Sequence, residues 1–390
     1  MPFAAALSTL ADSAQALDAV CSQARQALDG TADLALVFFS PHHAQAVEKI
    51  GQTVGERLGA RCLLGCGGES IVGNDQEVEE APALVLWAAR FPGEVKRDPF
   101  HLVFEATPDG YSLMGWPDEL MEVDPQESVV LLLGDPYTFP ADAFLNEINN
   151  ARPGLRVMGG MSSGHRGPGA QQLLLDDRVL DQGAVGVLLS GAVKVRSIVS
   201  QGCRPIGRHF VITKAQENII LELGGKPPLV QLQELWPELA PAEQQLVQRG
   251  LHVGRVINEY QDTFQRGDFL VRNVLGIDRQ TGALAIGDRV RVGQTIQFHV
   301  RDADSADEDL KTLLQMDKAA QSGAPAGALL FTCNGRGSRL FAEPHHDARA
   351  IRDETGQLPV AGFFAQGELG PVGGQNFIHG FTASVVLFED

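Results

Sequence analysis

Two glycine-rich stretches near the C-terminal end of the chain carry side chains that can bind a small charged molecule. "CNGRG" contributes Cys333, Asn334 and Arg336, and "AQGELG" contributes Gln366 and Glu368. An arginine binds a carboxylate through two parallel hydrogen bonds, and a carboxylate pairs with an ammonium group. The glycines let a ligand approach the backbone amides closely. These residue types predict a site for a small charged ligand and are compatible with an amino-acid-like one, with Arg336 on its carboxylate and Glu368 on its ammonium group.

A second group of polar side chains lies in the middle of the chain. Arg204 stands in "GCRPIG", and Arg272 stands with Asn273 in "FLVRNVLG". A guanidinium in apolar or glycine-rich surroundings needs an anionic partner. That partner is either a ligand carboxylate or a carboxylate of the chain, in an internal ion pair that joins the two domains. Both alternatives stay open at the level of sequence, and we include the three residues among the candidate ligand-binding positions.

Glu368 has a counterpart earlier in the chain, which suggests a second role for it. Glu69 in "CGGES" follows a similar apolar strand and a similar run of glycines. A carboxylate at such a place can accept hydrogen bonds from backbone amides and fix the turn. Ligand contact and this structural role are therefore alternatives for Glu368.

Patterns for catalysis and for metal binding are incomplete. Cys333 beside a histidine such as His379 would make a nucleophile and base, so a cysteine-dependent hydrolase or transferase is one alternative. The sequence contains no nucleophile elbow, HExxH motif, P-loop or complete dinucleotide fingerprint. Cys62 and Cys66 lack a second pair of metal ligands. We expect a binding protein without catalytic activity, metal or cofactor.

Three segments of similar order position the candidate loops. Residues 32–70, 127–164 and 325–370 each run from an apolar strand through a helix to a second strand that ends in glycines. Such a unit makes two parallel neighbouring strands, and ligands bind beyond their carboxyl ends. "CNGRG" and "AQGELG" are therefore expected to share one edge of a sheet.

The remaining pattern sets the fold class and the domains. Between the second and third segments, the sequence predicts short alternating strands, a helix pair divided by prolines and an antiparallel β meander. The predicted class is α/β with mixed α+β character, in two domains. Residues 1–225 hold an N-terminal helix and two strand–helix–strand units, and residues 226–390 hold the helix pair, the meander and the third unit.

Charge and hydropathy exclude several classes of partner. The chain has 31 Lys and Arg against 49 Asp and Glu, a net charge of −18, which repels phosphate backbones and anionic membranes. No apolar run approaches the roughly 18 residues that suggest a membrane span, and the N-terminus lacks a basic secretory start. The five cysteines contain no CxxC pair. We expect a cytoplasmic protein that binds neither nucleic acid nor membrane.

Several stretches in the same order resemble the FIST family, named for F-box and intracellular signal transduction proteins. They are "SQGCRPIG", "RGDFLVRNVLGID", "VRVGQTIQFHVRDA", "FTCNGRG" and "AGFFAQGELGPVGG". The resemblance extends from about Asp33 to Phe388, as a FIST N-terminal domain (1–225) followed by a FIST C-terminal domain (226–390).

The resemblance implies a bacterial, stand-alone sensory module that binds amino acids or related metabolites. We expect no F-box, kinase, cyclase or receptor segment on this chain, so the resemblance implies a separate signalling protein as partner. A protein-interaction scaffold or adaptor, whose glycine loops only shape a surface, is the alternative.

Overall fold

The computed structural model describes residues 1–28, 30–107, 110–261, 263–264, 267–320 and 323–389. Its contacts divide the chain into two compact units: unit 1 is Met1–Ser200 with Leu310–Asp390, and unit 2 is Gln201–Asp309. The boundary predicted near residue 225 falls inside unit 2, because the strands on both sides of it pair within the same barrel.

The helices and strands follow in chain order. Unit 1 begins with β1 (Phe3–Ser8), α1 (Ser13–Ala27), β2 (Leu34–Phe39), α2 (Val47–Leu58), β3 (Leu63–Gly67), β4 (Ile71–Gly73), β5 (Gln76–Val78), β6 (Leu84–Ala89), β7 (Val95–Thr107), β8 (Gly110–Met114), β9 (Ser128–Gly134), α3 (Ala141–Ala151), β10 (Arg156–Met161), β11 (Leu173–Leu175), β12 (Arg178–Leu180), β13 (Ala184–Gly191) and β14 (Val195–Ser200). Unit 2 contains β15 (Cys203–Gln216), β16 (Ile219–Leu223), α4 (Pro228–Leu235), α5 (Pro241–Arg249), β17 (His252–Val256), β18 (Phe269–Ile277), β19 (Leu284–Ile286) and β20 (Thr295–Arg301). The chain continues with α6 (Ala303–Ala320), β21 (Pro325–Cys333), α7 (His346–Thr355), β22 (Val360–Ala365), β23 (Glu368–Val372), β24 (Gln375–His379) and β25 (Ala383–Glu389). Short 3-10 helices lie at Pro41–Ala46, Asp118–Met121, Pro125–Glu127, Trp236–Glu238 and Gly337–Arg339.

Each of the three predicted strand–helix–strand segments forms a parallel strand pair in unit 1. The pairs are β2 with β3, β9 with β10, and β21 with β22, and the connecting helices are α2, α3 and α7. A later strand, β6, β13 or β25, pairs antiparallel with the first strand of each pair. The strands of these pairs are apolar runs with both faces covered, which is typical of parallel strands. The predicted mixed α/β class is confirmed.

Hairpins are exchanged among the three sheets of unit 1. The hairpin β4–β5 follows β3 but pairs with β22, and the hairpin β11–β12 follows β10 but pairs with β3. The hairpin β23–β24 follows β22 but pairs with β10. Each sheet is thus completed by a segment distant in sequence, so residues 310–390 and residues 1–200 form one folded unit.

One apolar core joins the three segments. It contains Phe38 from the first segment, Leu131 from the second and Phe363 from the third, together with Trp87 of β6 and Phe388 of β25, all buried. The rings of Trp87 and Phe388 lie 5.1 Å apart between centroids. This shared core explains why the segments fold together rather than as separate domains.

Unit 2 is a closed barrel with the strand order β15-β16-β19-β18-β17-β20. Its core includes Ile206, Val253 and Phe298, and the helix pair predicted for residues 226–250 is present as α4 and α5. In the part of the chain that the structure describes, no helix has the length and apolar character that a membrane span requires.

Candidate functional site

The loops that follow β21 and β22 meet at the carboxyl ends of these two parallel strands. The Asn334 amide donates a hydrogen bond of 3.0 Å to the Ala365 carbonyl, and the Gln366 amide donates one of 2.9 Å to the Met161 carbonyl. Cys333 and Asn334 are half-buried and Gln366 is exposed. The structure therefore brings together three of the predicted residues, Cys333, Asn334 and Gln366, which we call the carboxyl-edge site.

Asn334 has an amide oxygen that is ready to receive a hydrogen bond. Its Oδ1 is buried and accepts no hydrogen bond from any residue that the structure describes. Its backbone carbonyl, by contrast, accepts a bond of 2.8 Å from Arg339 Nη1. A buried acceptor that finds no donor costs about 1–3 kcal/mol, so a donor supplied by a ligand is favoured at this position.

Arg336 is held by a carboxylate of the chain itself. Its side chain is 0% exposed, and its Nε and Nη2 donate to the two oxygens of Asp347 at 2.7 and 2.8 Å. Burial opposes the charge of Arg336, but Asp347 outweighs it and raises the pKa of the guanidinium. Two of the guanidinium nitrogens with which Arg336 could bind a ligand carboxylate thus already bind Asp347. The predicted contact of Arg336 with a ligand stays a prediction.

Asp347 lies in the first turn of α7 and gathers several donors. Besides Arg336, Thr332 Oγ1 donates to it at 2.7 Å, and His346 Nδ1 lies 2.9 Å from its Oδ1. Burial disfavours its charge, yet Arg336 holds the pKa of Asp347 well below the usual range. A negative side chain is also stabilised at the N-terminal end of a helix. The Arg336–Asp347 ion pair thus holds the loop after β21 against the start of α7.

Glu77 is a buried carboxyl group that the sequence did not reveal as part of this region. It lies on the exchanged strand β5, 3% exposed, and its Oε1 accepts a bond of 2.9 Å from the Ala348 amide. Burial and then the negative charge of Asp347 raise the pKa of Glu77 to about 8. At neutral pH it is mainly protonated, so Glu77, Asp347 and Arg336 together carry no net charge.

The outer face of the same loop is hydrogen-bonded to the carboxylates of Glu69, in the first segment, and Glu79, which follows β5. Ser338 donates to Glu79 from its amide at 2.9 Å and from its hydroxyl at 2.6 Å, and Arg339 Nη2 donates to Glu69. Gly337 has φ of 59°, and a Cβ added there would lie 2.6 Å from Glu79 Oε1. Only glycine fits this turn without strain.

Glu368 is fully buried and hydrogen-bonded to backbone. Its Oε2 accepts a bond of 3.2 Å from the Thr382 amide, and the Thr382 carbonyl accepts one of 2.9 Å from the Cys333 amide. This matches the structural alternative, in which the carboxylate fixes the backbone beside the site. Its predicted role as an ammonium partner stays a prediction.

Cysteine chemistry at this edge also stays a prediction. Cys333 Sγ accepts a bond of 3.4 Å from the Gly335 amide, and buried His379 places its Nε2 3.0 Å from the Gly370 carbonyl.

Cys62 is buried in the core, and burial raises the pKa of its thiol to about 12. Among the described residues, no three His, Cys, Asp or Glu side chains are grouped to hold a metal ion.

Arg204, Arg272 and Asn273 lie in unit 2. Arg204 donates to Glu243 at 2.8 Å and to Asp302 at 3.1 Å. Arg272 Nε lies 3.4 Å from Asp288 Oδ2, and Asn273 is exposed. Both arginines therefore make ion pairs inside this unit. The Arg204 pairs cross the predicted boundary at residue 225, whereas the Arg272 pair lies within residues 226–390. The binding of either arginine to a ligand stays a prediction.

The residues that sequence reasoning missed are Glu77, Glu79, Arg339 and Asp347. Asp347 carried a usable signal, because it stands in the first turn of the helix that follows "CNGRG". No sequence signal pointed to Glu77 or Glu79, since 271 residues separate Glu77 from Ala348 and 259 separate Glu79 from Ser338.

Comparison with known proteins gives two family matches and several relatives. The FIST N domain matches residues 33–226, and the FIST C domain matches residues 230–371. An uncharacterized protein of Mycobacterium tuberculosis strain H37Rv is 44% identical over 385 residues, which cover 98% of each chain. An uncharacterized protein of Mycobacterium bovis is 42% identical over 383 residues, which cover 98% of this chain and 97% of the relative.

Proposed function

The chain belongs to the FIST family, and on that premise we propose that it is a small-ligand sensor that binds an amino acid or related metabolite at the carboxyl-edge site. FIST domains are associated with signal transduction. In this proposal the protein acts in the bacterial cytoplasm, binds its ligand without converting it, and relays binding to a separate signalling protein.

The buried Oδ1 of Asn334 is the observation that carries the proposal. It is an acceptor without a donor among the described residues, and it lies at the carboxyl edge of a parallel strand pair, where ligands of α/β folds bind. An ammonium group has three N–H donors and can satisfy it. Exposed Gln366 adds both a donor and an acceptor at the same edge.

Arg339 is our candidate for the ligand carboxylate, in place of Arg336. Its side chain is 49% exposed and lies against the Asn334 backbone, whereas Arg336 is fully buried and occupied by Asp347. Glu69 pairs with Arg339 and would be displaced or joined by the ligand. The ligand would then bind between Asn334 and Arg339.

The buried charges behind the loop support binding by fixing its shape. Arg336, Asp347 and Glu77 hold the loop from inside, and Glu79 holds Ser338 from outside. A loop that is already ordered loses less conformational entropy when a ligand binds. Glu77 lies in the β4–β5 hairpin and Glu79 follows it, and this hairpin pairs with β22 but is continuous in the chain with β3 of another sheet. A shift of the loop on binding would therefore reach the sheet of β3 through this hairpin, which offers a route for the signal.

A thermal-shift screen against the standard amino acids and related metabolites tests the proposal. A ligand that binds the folded state stabilises it by about 2.7 kcal/mol at 100 times Kd, so the Tm rises. Asn334→Leu and Arg339→Gln should each abolish the shift, and Arg178→Gln, at an exposed position on β12, should retain it.

Two outcomes would count against the proposal. One is a screen in which no compound moves the Tm, and the other is a shift that persists in both site variants. Recovery of the ligand unchanged after incubation tests the binding role against catalysis, and capture of a signalling protein only with ligand present tests the relay.

A further inference from the structure

A cleft at the amino end of β9 is lined mainly by acidic side chains, and we call it the acidic cleft. It has a volume of about 440 Å³ and lies beside the segment 118–127, which precedes β9. Its ionisable lining residues are Glu94, Lys96, Glu119, Glu122, Asp124 and Glu127, all exposed. In the part of the chain that the structure describes, none of these five carboxylates takes part in an ion pair.

Three adjacent strands form the base of the acidic cleft. Lys96 of β7 is in register with Ser190 of β13, and Ser190 is in register with Ser128 of β9. Residues in register on neighbouring strands lie on the same face of a sheet. All three line the cleft, so their side chains form one polar row across the sheet.

Ser128 provides a buried polar atom at this base. The residue is 1% exposed, and its Oγ forms no hydrogen bond with any residue that the structure describes. A hydroxyl both donates and accepts hydrogen bonds, and leaving a buried one unpaired is unfavourable. A ligand in the cleft that supplies a hydrogen bond to Ser128 is therefore favoured.

Asp98 provides a second such atom on the same side of the sheet. It lies two positions after Lys96 on β7, and alternate residues of a strand share one face. Its Oδ2 is buried and forms no hydrogen bond with a described residue. Burial and then the negative charge of Glu119 raise the pKa of Asp98, although Lys96 and Arg97 oppose them. A positive ligand group nearby would stabilise this carboxylate.

The excess of negative charge does not depend on a single residue. Five carboxylates against Lys96 leave four negative charges in the lining. Arg152 and Arg156 lie outside the lining and donate to backbone carbonyls of the segment 118–127. When both arginines are counted, two negative charges remain, and Asp98 adds a further one.

We propose that the acidic cleft binds a small organic polycation of the polyamine class, with two or more ammonium groups joined by alkyl chains. An alkylammonium group resembles that of Lys, whose pKa is about 10.4, so a diamine carries about two charges at pH 7 and a triamine about three. These charges match the excess in and around the lining, whereas a monoamine would balance at most half of it. An ammonium group has three N–H donors, so it can donate to Ser128 Oγ and also pair with a carboxylate.

A metal ion and a basic protein segment fit the acidic cleft less well. Among the described residues, no three His, Cys, Asp or Glu side chains are grouped to hold a metal ion, whereas separated ammonium groups can reach separated carboxylates. The volume of about 440 Å³ lies within the usual range of small-molecule sites, about 300–1,000 Å³. None of the cleft residues belongs to the carboxyl-edge site, and the inference stands independently of the proposed function.

Isothermal titration with spermidine, n-butylamine and MgCl₂ tests the inference. The salt concentration is about 0.15 M, where attraction between exposed charges is screened beyond about 8 Å. We expect saturable binding of spermidine at one site per chain, and binding of butylamine and of Mg²⁺ about tenfold or more weaker. Absence of saturable spermidine binding, or binding of either other probe as tight as that of spermidine, overturns the inference.

Two variants of the acidic cleft locate the binding. Ser128→Ala should weaken spermidine binding about tenfold, because it removes a hydrogen bond to a charged group. Glu119→Gln/Glu122→Gln should weaken it about fivefold or more, because it removes two charges from the lining. Circular dichroism confirms that each variant is folded.

Two matched controls separate this site from general attraction to an acidic protein. Glu48→Gln/Glu56→Gln removes two exposed charges from α2 and should bind spermidine as the parent does. Asn334→Leu should also bind as the parent does, because Asn334 belongs to the carboxyl-edge site. The same loss in both double variants, a loss in Asn334→Leu, or unchanged affinity in either cleft variant would refute the assignment.

Discussion

Replacing Arg336 with methionine should destabilise the protein strongly at neutral pH. The change removes the two bonds of 2.7 and 2.8 Å to Asp347 and leaves a carboxylate that is 1% exposed without its main counter-charge. Breaking a buried ion pair on one side costs about 3–5 kcal/mol. Thr332 and His346 remain as partners of Asp347, so we expect a loss at the lower end of that range.

The loss should depend on pH in a direction fixed by Asp347. In the parent, Arg336 holds the pKa of Asp347 far below its ordinary value. The stabilisation by this ion pair is therefore fully present above about pH 4 and is lost as the pH falls below that value. Without Arg336, burial raises the pKa of Asp347 in the folded state above that of the unfolded chain, about 3.9. The stability of the variant then falls by up to about 1.4 kcal/mol per pH unit as pH rises above 4. Its deficit should be smaller at pH 4.5 than at pH 7.

Urea denaturation followed by fluorescence, with buried Trp87 among the reporters, measures these free energies. The double variant Arg336→Met/Asp347→Leu is the matched control, because replacing both members of a buried pair by apolar residues is often neutral. It should recover most of the loss. A loss below about 1 kcal/mol in the single variant, an equal deficit at both pH values, or no recovery in the double variant would refute the reasoning.

Three further changes test the surrounding contacts. Glu77→Gln should reduce the pH dependence of the free energy of unfolding. Because the pKa of Glu77 is raised to about 8, the folded parent keeps a proton that the unfolded chain releases, so the stability of the parent falls between roughly pH 4.5 and pH 8. Urea titrations at pH 5 and 8 should show a smaller fall in the variant, and an identical fall would contradict the assignment. Gly337→Ala should cost about 1–3 kcal/mol, since φ is 59° and the added Cβ meets Glu79; an unchanged urea midpoint would show that the turn relaxes. Glu368→Leu should cost about 1–3 kcal/mol by removing the acceptor of the Thr382 amide, and faster hydrogen exchange at Thr382 would report it, whereas unchanged exchange would argue against the structural role.

The strand–helix–strand segments were predictable because their signals are local. Apolar runs such as "LALVFF" and "SVVLLLG", followed by helix starts and glycine ends, predict buried parallel strands. The exchange of hairpins was not predictable. β4 has three residues, and its register with β22 joins Gly73 to Ala361, positions that no local pattern relates.

The same difference between local signals and contacts distant in sequence explains which site residues could be predicted. Cys333, Asn334 and Gln366 were expected at one edge because parallel strands bring their carboxyl ends together. The burial of Arg336 was not foreseen, since its partner Asp347 comes from the next helix and Glu77 from the hairpin that follows the first segment. Sequence reasoning recognised an arginine that needs a carboxylate, and the choice between a ligand and Asp347 depended on the tertiary fold.

The central claim is that a ligand donor binds Asn334 Oδ1. Isothermal titration of the best compound from the thermal-shift screen into the parent, Asn334→Leu and Arg178→Gln tests it most directly. The account predicts saturable binding to the parent and to Arg178→Gln, and affinity about tenfold or more weaker in folded Asn334→Leu. Equal affinity in all three proteins would contradict it.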